Sequence, residues 1–139
     1  MSLEWLAGYF DGEGCITLTA DNRHGKAPCL RVKVCTADRE CIDAFVAQFG
    51  GNVHTRKVPP LGRLASRRRM FDWSQSGSKA QDVLRQLLPF LRSDKKQLAE
   101  LVLQCSFKVT GVRLSEEEYN LRQVIRQQVS AVNQRVTIQ

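Results

Sequence analysis

No run of apolar residues in this 139-residue chain approaches the length needed to span a bilayer. The start, Met1-Ser2-Leu3-Glu4, has no basic stretch with an apolar run behind it, so no secretory signal is expected. Only two histidines occur, His24 and His54, and there is no Cys-x-x-Cys, which argues against a zinc site. The five cysteines, Cys15, Cys29, Cys35, Cys41 and Cys105, are odd in number and lack close pairs. That argues against a disulfide framework and for a reducing intracellular compartment, whether an organelle such as a chloroplast or mitochondrion or a bacterial cytoplasm. The thiols are expected to be small buried side chains. Acidic residues are scarce in one region. Residues 15–79 hold twelve Lys/Arg against five Asp/Glu, while the rest of the chain is balanced at nine against nine. All of the +7 net charge therefore sits in that segment, and a basic patch of this kind suits a polyanion. The plain alternative is a solvated face that keeps the protein soluble. The length is that of one domain, residues 1–139.

What is present is concentrated in nine residues, Leu6-Ala7-Gly8-Tyr9-Phe10-Asp11-Gly12-Glu13-Gly14. Ser2 can cap a helix over about residues 3–12, with Gly8 and Gly12 four apart on it and Ala7 beside Gly8. Two glycines inside a helix cost roughly 1 kcal/mol each relative to alanine, which close approach of a second helix would offset. Two alternating strands follow. Ile16, Leu18 and Ala20 share one face, and Thr17, Thr19 and Asp21 the other; after a loop, Leu30, Val32 and Val34 oppose Arg31, Lys33 and Cys35.

The pattern then repeats in outline. A helix at about 38–49 is stopped by Gly50-Gly51. A second strand pair is expected near 52–58 and 67–75, with Phe71 and Trp73 inward and Arg68, Met70 and Asp72 outward. Ser78-Lys79-Ala80-Gln81 has the form of a capping box, Ser93 can cap a further helix after Pro89, and Ser115-Glu116-Glu117-Glu118 opens a last one to about residue 133. The fold class is α+β: an αββαββα core with four antiparallel strands backed by helices, one sheet face left open, and helices at the C-terminus.

The open face would display Thr17, Thr19, Asp21, Arg31, Lys33, Arg68 and Asp72, with Thr55 or Arg56 according to register. Donors, acceptors and positive charge mixed in this way suit base-edge readout in a major groove, whereas a purely basic face would only grip phosphates. Arg23, Lys26 and Arg63 lie in loops better placed for phosphates. Glu13 ends the first helix, where a carboxylate can project beyond the last turn and serve a hard divalent cation, with the Gly12 carbonyl as a second oxygen. One Glu per chain is too few for such a site. Two chains about a two-fold axis would bring two Glu13 side chains to one phosphodiester region. Asp11, roughly 200° away round the helix, reads as structural.

The nine-residue run resembles the motif of the LAGLIDADG homing endonucleases, with Glu13 as its final acid, and the resemblance extends over about residues 3–110. It implies a single-motif homodimer in which motif helices pack together, placing Ala7, Gly8, Asp11 and Gly12 at the dimer interface. It also implies an intron-encoded enzyme that cuts double-stranded DNA at a long, near-palindromic site using Mg²⁺ or Mn²⁺ on Glu13 and Gly12. No membrane and no small-molecule cofactor are implied. Leu87-Leu88-Pro89-Phe90-Leu91 followed by Lys95-Lys96 is similar to the family's apolar-Pro-apolar run and active-site basic residue, with Lys95 the better fit and Lys96 its alternative. There is one departure. Where relatives carry Gln and then a basic residue after the second strand, this chain has Thr36 and Arg39 nearest those roles.

Two other readings compete. One is a noncatalytic DNA-binding or intron-RNA splicing protein of the same fold. The other, a basic α+β domain binding RNA, predicts aromatic side chains exposed on the sheet for base stacking.

Overall fold

In the computed structural model, which describes residues 1–19, 28–56, 69–107 and 114–138, the motif runs from helix into strand without a loop. Helix α1 spans Leu3–Glu13, and strand β1 begins at the next residue, Gly14–Thr19. Ser2 accepts a hydrogen bond from the Trp5 N–H at 3.1 Å, so the helix starts as its cap residue predicts. Leu6, Ala7 and Phe10 form the buried stripe. Gly14 is required by space. A Cβ there would lie 2.5 Å from the Phe10 ring and 2.6 Å from its carbonyl oxygen. Gly14→Ala should therefore lower stability by about 1–3 kcal/mol, read as a drop in denaturant midpoint at constant slope; an unchanged midpoint would contradict the close approach.

The remaining elements are β2 (Cys29–Thr36), α2 (Arg39–Phe49), β3 (Asn52–Thr55), β4 (Phe71–Ser76), α3 (Gly77–Leu87), a 3₁₀ turn at Leu88–Phe90, α4 (Asp94–Val102) and α5 (Glu116–Ile138). The four strands form one antiparallel sheet in the order β1-β2-β4-β3, as the α+β reading requires. Ile16, Leu18, Leu30, Val32, Val34 and Trp73 point into the core beneath it. Trp73 packs 4.9 Å from Phe45 and donates from Nε1 to the Gly50 carbonyl at 2.7 Å. Gly50 and Gly51 take positive φ, which lets the chain leave α2 and return as β3. Helix α5 closes the β1 edge: Ile125, Val129 and Val132 are buried, and Asn133 donates to the Ile16 carbonyl at 3.2 Å. Arg122 ties the same helix to the residue before β2 and to the segment after α4 by donating to the carbonyls of Pro28 and Ser106.

Several expectations need correcting. Helix α3 begins directly after Ser76, whose side chain makes no cap hydrogen bond, so Ser78 lies inside the helix, and Gln81 is buried, donating to the Val102 and Cys105 carbonyls. Cys15 and Cys29 are exposed and Cys35 is half-buried, because they alternate with the core residues of β1 and β2; Cys41 and Cys105 are the buried thiols. Burial pushes the Cys105 thiol up to about 11. Strand β4 begins at Phe71 rather than 67, and α5 continues to Ile138. Among the described residues no helix is long and apolar enough to cross a membrane.

Candidate active site and nucleic-acid interface

Glu13 is the last residue of α1 and is exposed, at the point where the helix meets the sheet. The two motif acids have separate surroundings. Asp11 Oδ2 accepts from the Arg92 N–H at 3.0 Å, and its Oδ1 accepts from the Ser93 N–H at 3.1 Å and the Ser93 hydroxyl at 2.5 Å. Both oxygens thus serve the segment that opens α4, which is the structural role expected of this residue. Lys95 Nζ donates to the Asp11 main-chain carbonyl at 2.9 Å, so the structure brings Lys95 to the last turn of α1, the turn that ends in Glu13. Lys96 is exposed on the neighbouring position.

Thr36 continues the inward face of Leu30, Val32 and Val34 and is only 9% exposed. Its oxygen accepts from the Tyr9 hydroxyl at 2.7 Å and from the Asp38 N–H at 3.1 Å. Thr36 thereby fastens the β2–α2 turn to α1, one helical turn before Glu13. Burial raises the Tyr9 hydroxyl above its ordinary range, against the Thr36 hydrogen bond, which lowers it. Arg39 Nε donates to Asp43 at 3.0 Å and its guanidinium lies 5.2 Å over the Phe71 ring, at the start of α2.

Among the described residues no three His, Cys, Asp or Glu gather into a metal-binding group. One chain offers an exposed carboxylate, Glu13, and the Gly12 carbonyl near a helix C-terminus, where carbonyls lack intrahelical partners. These are hard oxygen donors of the kind that suits Mg²⁺ or Mn²⁺.

The open sheet face carries side chains in rows fixed by the register. Cys15, Lys33, Ser74 and Asn52 form one row, Thr17, Arg31 and Ser76 a second, and Cys35, Asp72 and His54 a third. Thr19 and Arg31 are exposed, while Thr17 and Lys33 are half-buried. Register also decides between the two β3 candidates. Thr55 lies opposite inward-facing Phe71, and Arg56 follows it on the open side. Arg56 Nε donates to Asp72 at 2.8 Å. Desolvation pushes the Asp72 carboxyl up, but the Arg56 hydrogen bond and lesser contributions from Cys35 and Lys33 outweigh it and hold the carboxyl below the usual range. Asp72 thereby orients a cation on the open face. Asp21, Arg23, Lys26, Arg63 and Arg68 lie outside the described residues. Trp73 is fully buried, so the largest β4 aromatic is not available for stacking on this face.

Sequence reasoning missed the flank of this surface. A cleft of about 410 Å³ runs between Thr17, Leu18 and Thr19 of β1 and Arg126, Val129, Ser130, Asn133 and Gln134 of α5. Arg126, Ser130 and Gln134 fall four apart on α5, a polar row visible in the sequence. Which strand it would line was not.

Ala7 is 0% exposed within the single chain, packed in its own core. This corrects its placing at a surface for a second copy. Gly8 and Gly12 are exposed, with nothing within 4 Å of a Cβ built at either. Trp5, 41% exposed, lies on the same side of α1.

No family model matches the chain, and no curated protein matches it. Solved structures do. The chain is similar to homing endonuclease I-CvuI, described in complex with a DNA target, at 21% identity and TM-score 0.73, covering 94% of this chain and 80% of that one. It is similar to homing endonuclease I-TnaI at 15% identity and TM-score 0.57, covering 98% of both chains. A third likeness, at 14% identity and TM-score 0.57, is to the LAGLIDADG homing endonuclease I-SmaMI bound to cleaved DNA; it covers 90% of this chain but only 42% of that one. The motif run lies on α1, the sheet is four-stranded and antiparallel, and these neighbours share its layout: the chain has the LAGLIDADG homing endonuclease fold.

Proposed function

We propose that this protein is a site-specific endonuclease that cuts double-stranded DNA by metal-dependent phosphodiester hydrolysis, acting as a homodimer on a long near-palindromic site. The observation that carries the reading is the position of Glu13. It is exposed at the meeting of α1 with the open sheet face, with Lys95 anchored alongside. DNA lying across Thr17, Thr19, Arg31, Lys33 and Arg56 would set its backbone near that acid, and Arg126 and Ser130 of α5 would flank it. A divalent cation held by Glu13 and the Gly12 carbonyl would supply a Lewis acid and activated water. The chain's own contribution is orientation. Asp72 fixes Arg56, the sheet would fix the register of base contacts, and the Lys95 ammonium, held at the end of α1, would stabilise negative charge developing on the phosphate. The five free thiols, two of them exposed, fit a reducing compartment.

One observation favours the noncatalytic alternative, a DNA-binding or intron-RNA splicing protein. The Thr36 hydroxyl, nearest the position of a water-organising Gln, is taken up by Tyr9 and Asp38. Incubating the protein with DNA selected from a randomised library, with and without Mg²⁺, separates the two readings. Metal-dependent cutting at one long site is the expected result, and binding that never leads to cutting favours the alternative.

Binding should also weaken steeply with salt. If about five basic residues per chain reach phosphates, a dimer releases roughly ten counterions, and the log–log slope of affinity against salt approaches about −9. A nearly flat dependence would contradict the open-face interface. Substituting Lys33 should change the base preferred at one position of each half-site, whereas substituting Lys26 should weaken all sequences alike.

A further inference from the structure

The mechanism above leaves the first motif acid without a task, yet Asp11 is the most heavily engaged side chain at the end of α1. We infer that Asp11 is a positioning residue for Lys95, setting within one chain the distance between the motif helix and the active-site ammonium. The inference rests on the endonuclease reading.

The contacts form a continuous path. The Asp11 carboxylate takes the Arg92 N–H, the Ser93 N–H and the Ser93 hydroxyl. Ser93 is also the cap of α4, its Oγ accepting from the Lys95 N–H at 3.1 Å. The Lys95 side chain then turns back, and its Nζ reaches the Asp11 carbonyl at 2.9 Å. Residues 81 to 84 positions apart are thus closed into one hydrogen-bonded loop. An anion at a helix N-terminus is favoured by the unpaired N–H groups and the helix dipole, so the carboxylate holds the start of α4 from outside that helix. A lysine is a flexible four-carbon stem ending in a point charge, and without this anchor its ammonium would sweep a wide volume. Lys95 is half-buried, whereas its neighbours Asp94 and Lys96 are exposed.

The geometry gives both oxygens of Asp11 a use inside its own chain, Oδ2 on the Arg92 N–H and Oδ1 on the Ser93 N–H and hydroxyl. Asparagine keeps the shape but has a single acceptor oxygen. Its amide N–H₂ would face either the Arg92 N–H or both Ser93 donors, and the path would break at one side.

The test compares wild type, Asp11→Asn and Ser93→Ala. Ser93→Ala removes the middle of the path and leaves the motif intact. The first readout needs neither DNA nor cutting: reductive methylation, followed residue by residue by mass spectrometry. In wild type Lys95 should react several-fold more slowly than Lys96, and both variants should erase most of that difference. The second readout is single-turnover cutting of target DNA in Mg²⁺. A displacement of the ammonium by about 1 Å should slow cutting about a hundredfold while the dissociation constant stays within about threefold. Unchanged Lys95 protection in both variants overturns the inference. So does a fall in cutting that follows loss of the dimer in sedimentation, since Asp11 would then belong to the interface. If the wild type binds DNA but never cuts, the endonuclease reading fails by itself, and the methylation pattern still decides whether Asp11 holds Lys95.

Discussion

Glu13→Gln is expected to abolish DNA cutting while leaving specific binding intact. The amide preserves size and one oxygen but removes the charge that would hold a divalent cation at the exposed end of α1. Losing a Lewis acid and its activated water costs several kcal/mol of transition-state stabilisation, so the single-turnover rate should fall at least about a thousandfold. Affinity comes from many contacts across the open face and should stay within about threefold of wild type. In chelator it should even tighten, because a dimer would bring two carboxylates close to phosphates and removing them removes repulsion. One preparation of each protein, tested by gel shift and by cutting in Mg²⁺, is sufficient. A substituted protein that cuts at the wild-type rate would show that Glu13 is not the metal ligand.

Much of this site is written locally, and what is not local was misread. The spacing of apolar residues and the Ser2 cap define α1, and the alternation of Ile16 and Leu18 with Thr17 and Thr19 defines which face of β1 is open. The same alternation, carried two residues beyond Val34, puts Thr36 on the core face. It also puts Cys15, Cys29 and Cys35 on the open face, against the general tendency of free cysteines to be buried. The partners of Asp11 and Gln81 left no trace in the sequence. Arg92 and Ser93 lie 81 and 82 residues from Asp11, and Val102 and Cys105 lie 21 and 24 residues from Gln81. A cap supplied from another element has no periodicity to detect. Register likewise depends on strand pairing, so choosing Arg56 over Thr55 had to wait for β3 to be seen against β4.

Gly8→Leu is expected to leave each chain folded and to separate the dimer. A glycine inside a helix costs about 1 kcal/mol relative to alanine and somewhat less relative to leucine, and such a cost persists where the missing side chain allows something else to come close. Inside this chain nothing comes close: a Cβ at Gly8 or at Gly12 would meet no atom within 4 Å, whereas one at Gly14 would strike Phe10. The two helical glycines are therefore unexplained by the single chain, and with exposed Trp5 they make an open stripe suited to a second copy of α1 about a two-fold axis. Leucine at Gly8 should slightly stabilise the isolated chain through helix propensity while holding the two helices apart. Sedimentation should then show monomers where wild type sediments as a dimer, with the circular dichroism unchanged. Affinity for the full near-palindromic site should fall by about a hundredfold or more, because each half-site would be bound without the gain of linkage. A variant that still sediments as a dimer would remove α1 as the interface. One that unfolds would make Gly8 a residue of the chain's own packing, against the empty space around it.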